Sequence, residues 1–353
     1  MTLRLPCLLA AACCSVMLSS PGGVFAEDRP DAATQARRVR AAIGKALPLL
    51  ERAAAGTAEN RACFTCHGQA LPVMVAAEAR RRGFQIDEQN FQRQLDHTAA
   101  HLKRGRAGYL AGKGQGGRVD MAGYALWTLE AGDRPADDLT SAVTSYILQA
   151  ANEDGYWKRT SNRPPSEASP FTTTYLALRS LAAFGTEEQQ PEIARLTESA
   201  GRWLIEATPA DTEDRVFQLR SLEYTDAAQA ARKRLADALL AQQREDGGWA
   251  QKDDLTSDAY ATGTVLTCLL RTGQLEPASE ACQRGIRFLL DSQREDGSWH
   301  VVSRSKPFQN YFETGFPHGK DQFISTSATG WAAIALLLTL PEQPAPAEPE
   351  VSP

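Results

Sequence analysis

The chain has 353 residues, of which 42% are apolar, with 38 Lys and Arg set against 43 Asp and Glu. A net charge of −5 without a basic stripe argues against nucleic acid as a partner. The length suffices for a large core, and no apolar run reaches the roughly 20 residues of a membrane span.

Residues 1–26 read as an export signal, with Arg4 followed by the apolar stretch Leu5 to Leu18 and a Val24-Phe25-Ala26 end. That implies an exported, periplasmic protein. A lipoprotein anchored through Cys13 is the alternative; it would need a longer apolar run and a larger residue than Ala10. Residues 27–340 form one domain-sized body, and 341–353, rich in Pro and Glu, form a disordered tail. Cys7, Cys13 and Cys14 fall in the signal, while Cys268 and Cys282 sit in helical patterns as small core residues.

The first helical pair spans Ala33 to Ala53 and Leu71 to Gly83. Between them lies Cys63-Phe64-Thr65-Cys66-His67, the attachment pattern of a c-type haem. Two thiols three residues apart can bond the two vinyl groups of one haem, and the adjacent His67 can reach its iron. A local Cys63–Cys66 disulfide and a contribution to a metal site are the alternatives. The second pair, Glu88 to Leu102 and Met121 to Ala131, is joined by the glycine-rich run 112–117, read as a flexible connection.

Three later segments repeat one another. Tyr146-Ile147 precedes Asp154-Gly155-Tyr156-Trp157, Ala238-Leu239 precedes Asp246-Gly247-Gly248-Trp249, and Phe288-Leu289 precedes Asp296-Gly297-Ser298-Trp299. The last two share Arg-x8-Gln-x3-Gly-x-Trp through Arg234, Gln243, Gly247 and Trp249, and Arg284, Gln293, Gly297 and Trp299. Such a period marks stacked helical hairpins. Ala231 to Arg244 is amphipathic, an outer helix with one wet face that stops at a glycine C-cap, with a tryptophan folding back over its end. Phe171 to Phe184, Ser257 to Leu270 and Ser325 to Leu338 are apolar nearly all round, hence inner helices. Glu192 to Ala207 and Glu213 to Leu222 are a degenerate pair, bringing the count to six. Six hairpins close into a ring; an open solenoid that binds protein is the bland alternative.

The Gln-x3-Gly-x-Trp units resemble the QW repeats of squalene-hopene and oxidosqualene cyclases, and more loosely the protein prenyltransferase β-subunits. The resemblance implies an all-α (α/α)6 toroid with inner-helix N-termini crowding one end around an apolar cavity. It also implies an acid motif, Asp-x-Asp-Asp, at the start of an inner helix. The comparable place reads Asp211-Thr212-Glu213-Asp214, with Glu213 in the proton-donor position. Arg215 beside it departs from the pattern and is expected to favour the ionised carboxylate. Ordinary helix capping or a mouth-side ion pair is the competing role for Asp211, Glu213 and Asp214, and capping for Asp120 and Asp258. The prenyltransferase route would need a zinc site, and Asp258-Ala259-Tyr260 lacks the cysteine for one, so no zinc is expected.

Three readings follow. The first is an exported toroid that binds an apolar, isoprenoid-like molecule and carries a haem on Cys63, Cys66 and His67, with a periplasmic redox partner. The insertion from His300 to Phe323 would supply its distal ligand, His318; Met74, Met121, His97 and His101 are rivals, the last two expected to be solvated. The second is a haem-free class II cyclase relative with Glu213 and Asp214 as the acid. The third is a non-catalytic scaffold with a Cys63–Cys66 disulfide.

Overall fold

A computed structural model describes residues 31–307 and 310–343. The signal at 1–26 and most of the tail lie outside the described residues. Thirteen α-helices and no strand are present among those residues. The outer helices are α1 (Ala32–Asn60), α3 (Glu88–Arg104), α6 (Asp138–Gln149), α8 (Gln190–Glu206), α10 (Gln229–Leu240) and α12 (Glu280–Ser292). The inner ones are α2 (Leu71–Arg81), α5 (Arg118–Ala131), α7 (Pro170–Phe184), α9 (Thr212–Ser221), α11 (Ala259–Arg271) and α13 (Gln322–Leu337). A short α4 (Arg106–Leu110) sits in the second connection. Every outer-to-inner connection lies at one end, which forms the mouth.

The repeat works through backbone carbonyls. The indole Nε1 of Trp157, Trp249 and Trp299 donates to the carbonyls of Ile147, Leu239 and Leu289, each ten residues earlier. Each ring thereby satisfies an orphan group at the end of its outer helix while burying its own apolar surface. The same three backbone amides donate to Thr174, Thr262 and Thr329 on the inner helices. One tryptophan thus pins both helices of its hairpin.

The glutamines join hairpin to hairpin. Gln243 donates to the Gly247 carbonyl and, at 2.8 Å, to the Ala281 carbonyl on the next outer helix. Gln293 donates to the Gly297 carbonyl and, at 2.9 Å, to the carbonyl of Ala42 on α1. The last hairpin therefore treats the first as its successor, and the ring is closed. Gly297 has φ +91°, and a Cβ there would lie 2.7 Å from the Lys45 backbone, so only glycine lets the seam approach this closely.

The far end of the seam is tied electrostatically. Buried Glu78 on α2 pairs with Arg82 (2.5 Å), Arg81 (2.8 Å) and, across the ring, Arg271 (2.7 Å). Arg82 also donates to the Leu337 carbonyl.

Two expectations need adjusting. The outer helix of the fifth hairpin stops at Leu240, not at a glycine cap; Gly247 (φ +86°) lies in the following turn, where Gln243 closes onto it. The run 112–117 is tethered, because Gln115 accepts from the Tyr109 hydroxyl and donates to the His101 carbonyl.

Candidate functional site

The acid motif divides into two roles. Asp211 is the N-cap of α9, accepting from the Asp214 amide at 3.1 Å, and Asp214 in turn accepts from the Ala210 amide at 2.8 Å. These two do what first-turn acids ordinarily do. Glu213 does not. Its carboxyl is buried among Thr172 of α7 and Tyr260 of α11, whose hydroxyls lie 3.2 Å and 3.2–3.3 Å away. Burial first, then the charge of Asp211, hold it well above the usual carboxylate range. The Thr172 and Tyr260 hydrogen bonds oppose that rise without cancelling it. Arg215 does not offset this rise, so the surroundings favour the neutral form of the carboxyl over the ionised one.

A second buried carboxyl adjoins it. Asp120 of α5 accepts from Thr173, next in sequence to Thr172, and from Thr160 in the loop before α7. It is therefore not a cap, and burial raises its pKa too. Asp258, in contrast, caps α11 through the Ala261 amide.

The cysteine motif reaches the same place. Cys66 and His67 open a π-helical turn, Cys66–Ala70, that runs straight into α2. Cys63 is exposed and Cys66 buried, and both are free thiols. Burial pushes the Cys66 thiol up to about 12. His67 is driven down to about 4 by burial and then by Arg163, so it is a neutral imidazole. Its Nε2 stands 3.5 Å from the buried carboxylate of Glu167, which is paired with Arg163 in the loop leading to α7. Tyr124 on α5 links the two motifs. Burial, then the surrounding Glu213, Cys66 and Asp120, keep its phenol protonated, and its hydroxyl has no hydrogen-bond partner.

The rival iron ligands separate in space. His97 Nε2 is 3.4 Å from the Cys63 carbonyl, and His101 lies 6.3 Å from the Phe64 ring, centroid to centroid, and 3.1 Å from the Met121 sulfur. His101 was expected in solvent; instead it is only 8% exposed, because the face of α3 bearing it is covered by the loop at 61–67 and by α5. The insertion after His300 does pack on the first hairpin, through Arg61 to the Asn310 carbonyl and Asn60 to the Glu313 carbonyl. His318, however, is engaged by Ser298 (2.7 Å) and packed at a tilt against His300 (ring centroids 4.6 Å), while His300 pairs with Asp321. Met74 is buried in α2.

Below the acid, the centre of the ring holds a charge that the sequence did not announce. Trp127, Tyr175, Phe217 and Trp331, from four different inner helices, form a closed circuit of rings at 5.4, 5.1, 6.4 and 6.1 Å. The guanidinium of Arg220 lies over all four, at 5.0, 4.4, 5.5 and 5.7 Å. It donates to the Tyr175 hydroxyl at 2.5 Å, whereas the carboxylate of Glu130 is taken by Arg179. Desolvated cation–π contacts reach about 2 kcal/mol each, and several together offset the several kcal/mol that burying one ion costs.

The fold is a closed (α/α)6 toroid, the architecture that type II terpene cyclases share. Residues 179–343 match the model of the squalene-hopene cyclase C-terminal domain, so this part of the chain is similar to that domain. It is 31% identical over 112 residues to lanosterol synthase of Aspergillus fumigatus and 42% identical over 77 residues to copalyl diphosphate synthase of Streptomyces cyslabdanicus. These matches span 32% and 22% of this chain, and only 14% of the length of each relative. Type II terpene cyclase MstE from Scytonema, solved with geranylgeranyl dihydroxybenzoate, superposes with a TM-score of 0.57 at 12% identity, covering 87% of this chain and 98% of that one. Unsaturated glucuronyl hydrolase from Bacillus sp. GL1 has a TM-score of 0.50 at 14% identity, over 73% and 85% of the two chains. Likeness at this identity concerns the fold alone.

Proposed function

We propose that this chain is an exported isoprenoid-binding protein of the terpene-cyclase type, with Glu213 as proton donor to a carbon–carbon double bond. One observation carries the reading: Asp211 and Asp214 do the capping, which leaves Glu213 buried, neutral and turned inward. An alkene is a weak base, so its donor must keep its proton until the transition state. The isoprenoid class is supported by the neighbour solved with geranylgeranyl dihydroxybenzoate.

In the reaction the alkene π pair takes the Glu213 proton, leaving a tertiary carbocation and a carboxylate. Tyr260 and Thr172 donate to that carboxylate, stabilising the charge that develops on it. Loss of a neighbouring C–H proton restores a double bond, and its return to Glu213 restores the acid. Incubation with squalene or geranylgeraniol in deuterium oxide reads this as deuterium in recovered or rearranged product. Glu213→Gln lowers the incorporation by about 10²- to 10⁴-fold. Equal incorporation by both proteins clears Glu213 of the acid role.

A second reading rests on Cys63, Cys66 and His67 standing at the same mouth. The donor set suits a c-type haem: Cys63 and Cys66 would carry the thioether bonds and His67 would face the iron. The bound group would supply one-electron chemistry, in exchange with a periplasmic redox partner. As folded here, Cys66 is closed in and the His67 Nε2 faces Glu167, so loading requires the Arg163–Glu167 loop to lift. The visible spectrum of protein made in a periplasm that matures cytochromes c decides it. A missing Soret band, with two free thiols or a disulfide by mass, rejects the haem. A disulfide there, with partner binding retained in Cys63→Ser and Glu213→Gln, supports the non-catalytic scaffold.

A further inference from the structure

The four-ring circuit of Trp127, Tyr175, Phe217 and Trp331 is built as a receptor for positive charge, since one central cation lies over all four rings. In this chain the point is taken by the protein's own Arg220, which is 2% exposed. We infer that Arg220 is a resident cation that plugs the centre of the toroid and sets the depth to which a ligand enters. The inference rests on the reading of the mouth as an isoprenoid site.

The geometry gives the plug a definite level. Arg220 follows Glu213 by two turns of α9, about 10 Å along the helix. Tyr175 bounds that interval from α7, and its hydroxyl accepts from Arg220 and from Arg179 at 3.1 Å. Arg179 is itself locked by two bonds to Glu130, at 2.7 and 2.9 Å, and by the Tyr224 hydroxyl at 3.0 Å. The plug is therefore anchored at its base and cannot swing aside without breaking a shared network. A ligand meets the acid with the terminal unit of its chain, and the remainder stays at or above the mouth. Folding of a long polyene around a buried cation is excluded while Arg220 is in place. The substrate class narrows accordingly to molecules recognised by one chain end, whatever the total chain length.

Two measurements test this. In wild-type protein, farnesol and geranylgeraniol bind with affinities within about twofold, and neither quenches the emission of the buried Trp127 and Trp331. In Arg220→Ala the longer alcohol binds at least tenfold tighter than in wild type and quenches that emission. The same variant is also stabilised, saturably, by millimolar tetramethylammonium or methylguanidinium but not by sodium, whereas Arg220→Met, which refills the box without charge, is not. Length-dependent binding with quenching in the wild type overturns the plug, and that result needs no variant to fold. Identical responses of Arg220→Ala to tetramethylammonium and sodium overturn the receptor character of the box. Neither readout involves turnover, so failure of Glu213 as an acid leaves both interpretable.

Discussion

Closure of the ring puts a number on one residue. Gln293→Ala removes two hydrogen bonds, one inside its own turn to the Gly297 carbonyl and one across the seam to the Ala42 carbonyl, both at 2.9 Å. A net contribution of about 1 kcal/mol per bond, plus part of the cost of leaving a half-buried carbonyl unpaired, gives about 2–3 kcal/mol. Gln243→Ala is the internal control, because it loses the same two kinds of bond within the continuous part of the chain. In an open arc Gln293 would lose only the local bond, about 1 kcal/mol. Urea unfolding followed by tryptophan fluorescence separates the cases, since an unchanged slope lets the midpoint shift report stability directly. Comparable losses in the two variants are expected. A Gln293→Ala loss below half that of Gln243→Ala refutes the closed seam.

Two further predictions concern charge. The folded Glu213 carboxyl keeps its proton above the pH at which the unfolded one, near 4.5, releases it. Its contribution to stability is therefore complete below that pH and fades as pH rises, so Glu213→Gln gains on wild type between about pH 5 and pH 8; a constant difference over that range contradicts the neutral acid. Glu78 runs the other way: burial would raise its carboxyl, but Arg271, then Arg81 and Arg82, outweigh it and hold it below 4.5. Its stabilisation is present above that pH and lost in acid, and Glu78→Gln costs about 3 kcal/mol at neutral pH by removing the nearest carboxylate of buried Arg82, which keeps Glu342 at 3.6 Å. A loss under about 1 kcal/mol in thermal or urea unfolding removes Glu78 from the seam.

The fold was legible because its repeat is a backbone device. Gln243, Gly247 and Trp249 and their counterparts fifty residues on bond to main-chain carbonyls, so their types and spacing are fixed whatever the neighbouring side chains are. Six hairpins of alternating outer and inner helices followed from the repeat and from amphipathicity. The site was legible only in pieces. Glu213 and the Cys63–His67 motif were visible as separate signals, but nothing in one dimension says that α5 carries Tyr124 between them. Arg220 was invisible: a single arginine in a short helix reads as a solvated residue, and its burial depends on rings from three other helices. His101 misled for the same reason, since its covering surface comes from the loop at 61–67 and not from α3 itself. Arg163 and Glu167 belong to a loop without periodicity, so their closure over His67 left no pattern to find.

Tyr124 shows how a structural and a functional role can be told apart at this mouth. Its ring stacks on Trp127 at 6.2 Å with 13° between planes, and its hydroxyl, buried and unpartnered, sits amid Glu213, Asp120 and Cys66. If the hydroxyl served packing only, Tyr124→Phe would remove an unsatisfied polar group and leave stability unchanged or raised by about 1 kcal/mol, with ligand handling intact. A hydroxyl that instead awaits an oxygen on the bound molecule gives the same stability result but a different chemical one. Deuterium incorporation or ligand affinity then falls at least tenfold in Tyr124→Phe while the unfolding midpoint holds. We expect the second outcome, because a buried hydroxyl left without a partner beside the carboxyls of Glu213 and Asp120 is costly to keep for packing alone. A variant that is both destabilised by more than about 1 kcal/mol and unaltered toward ligand contradicts it, and would mean that the hydroxyl has a partner within the protein.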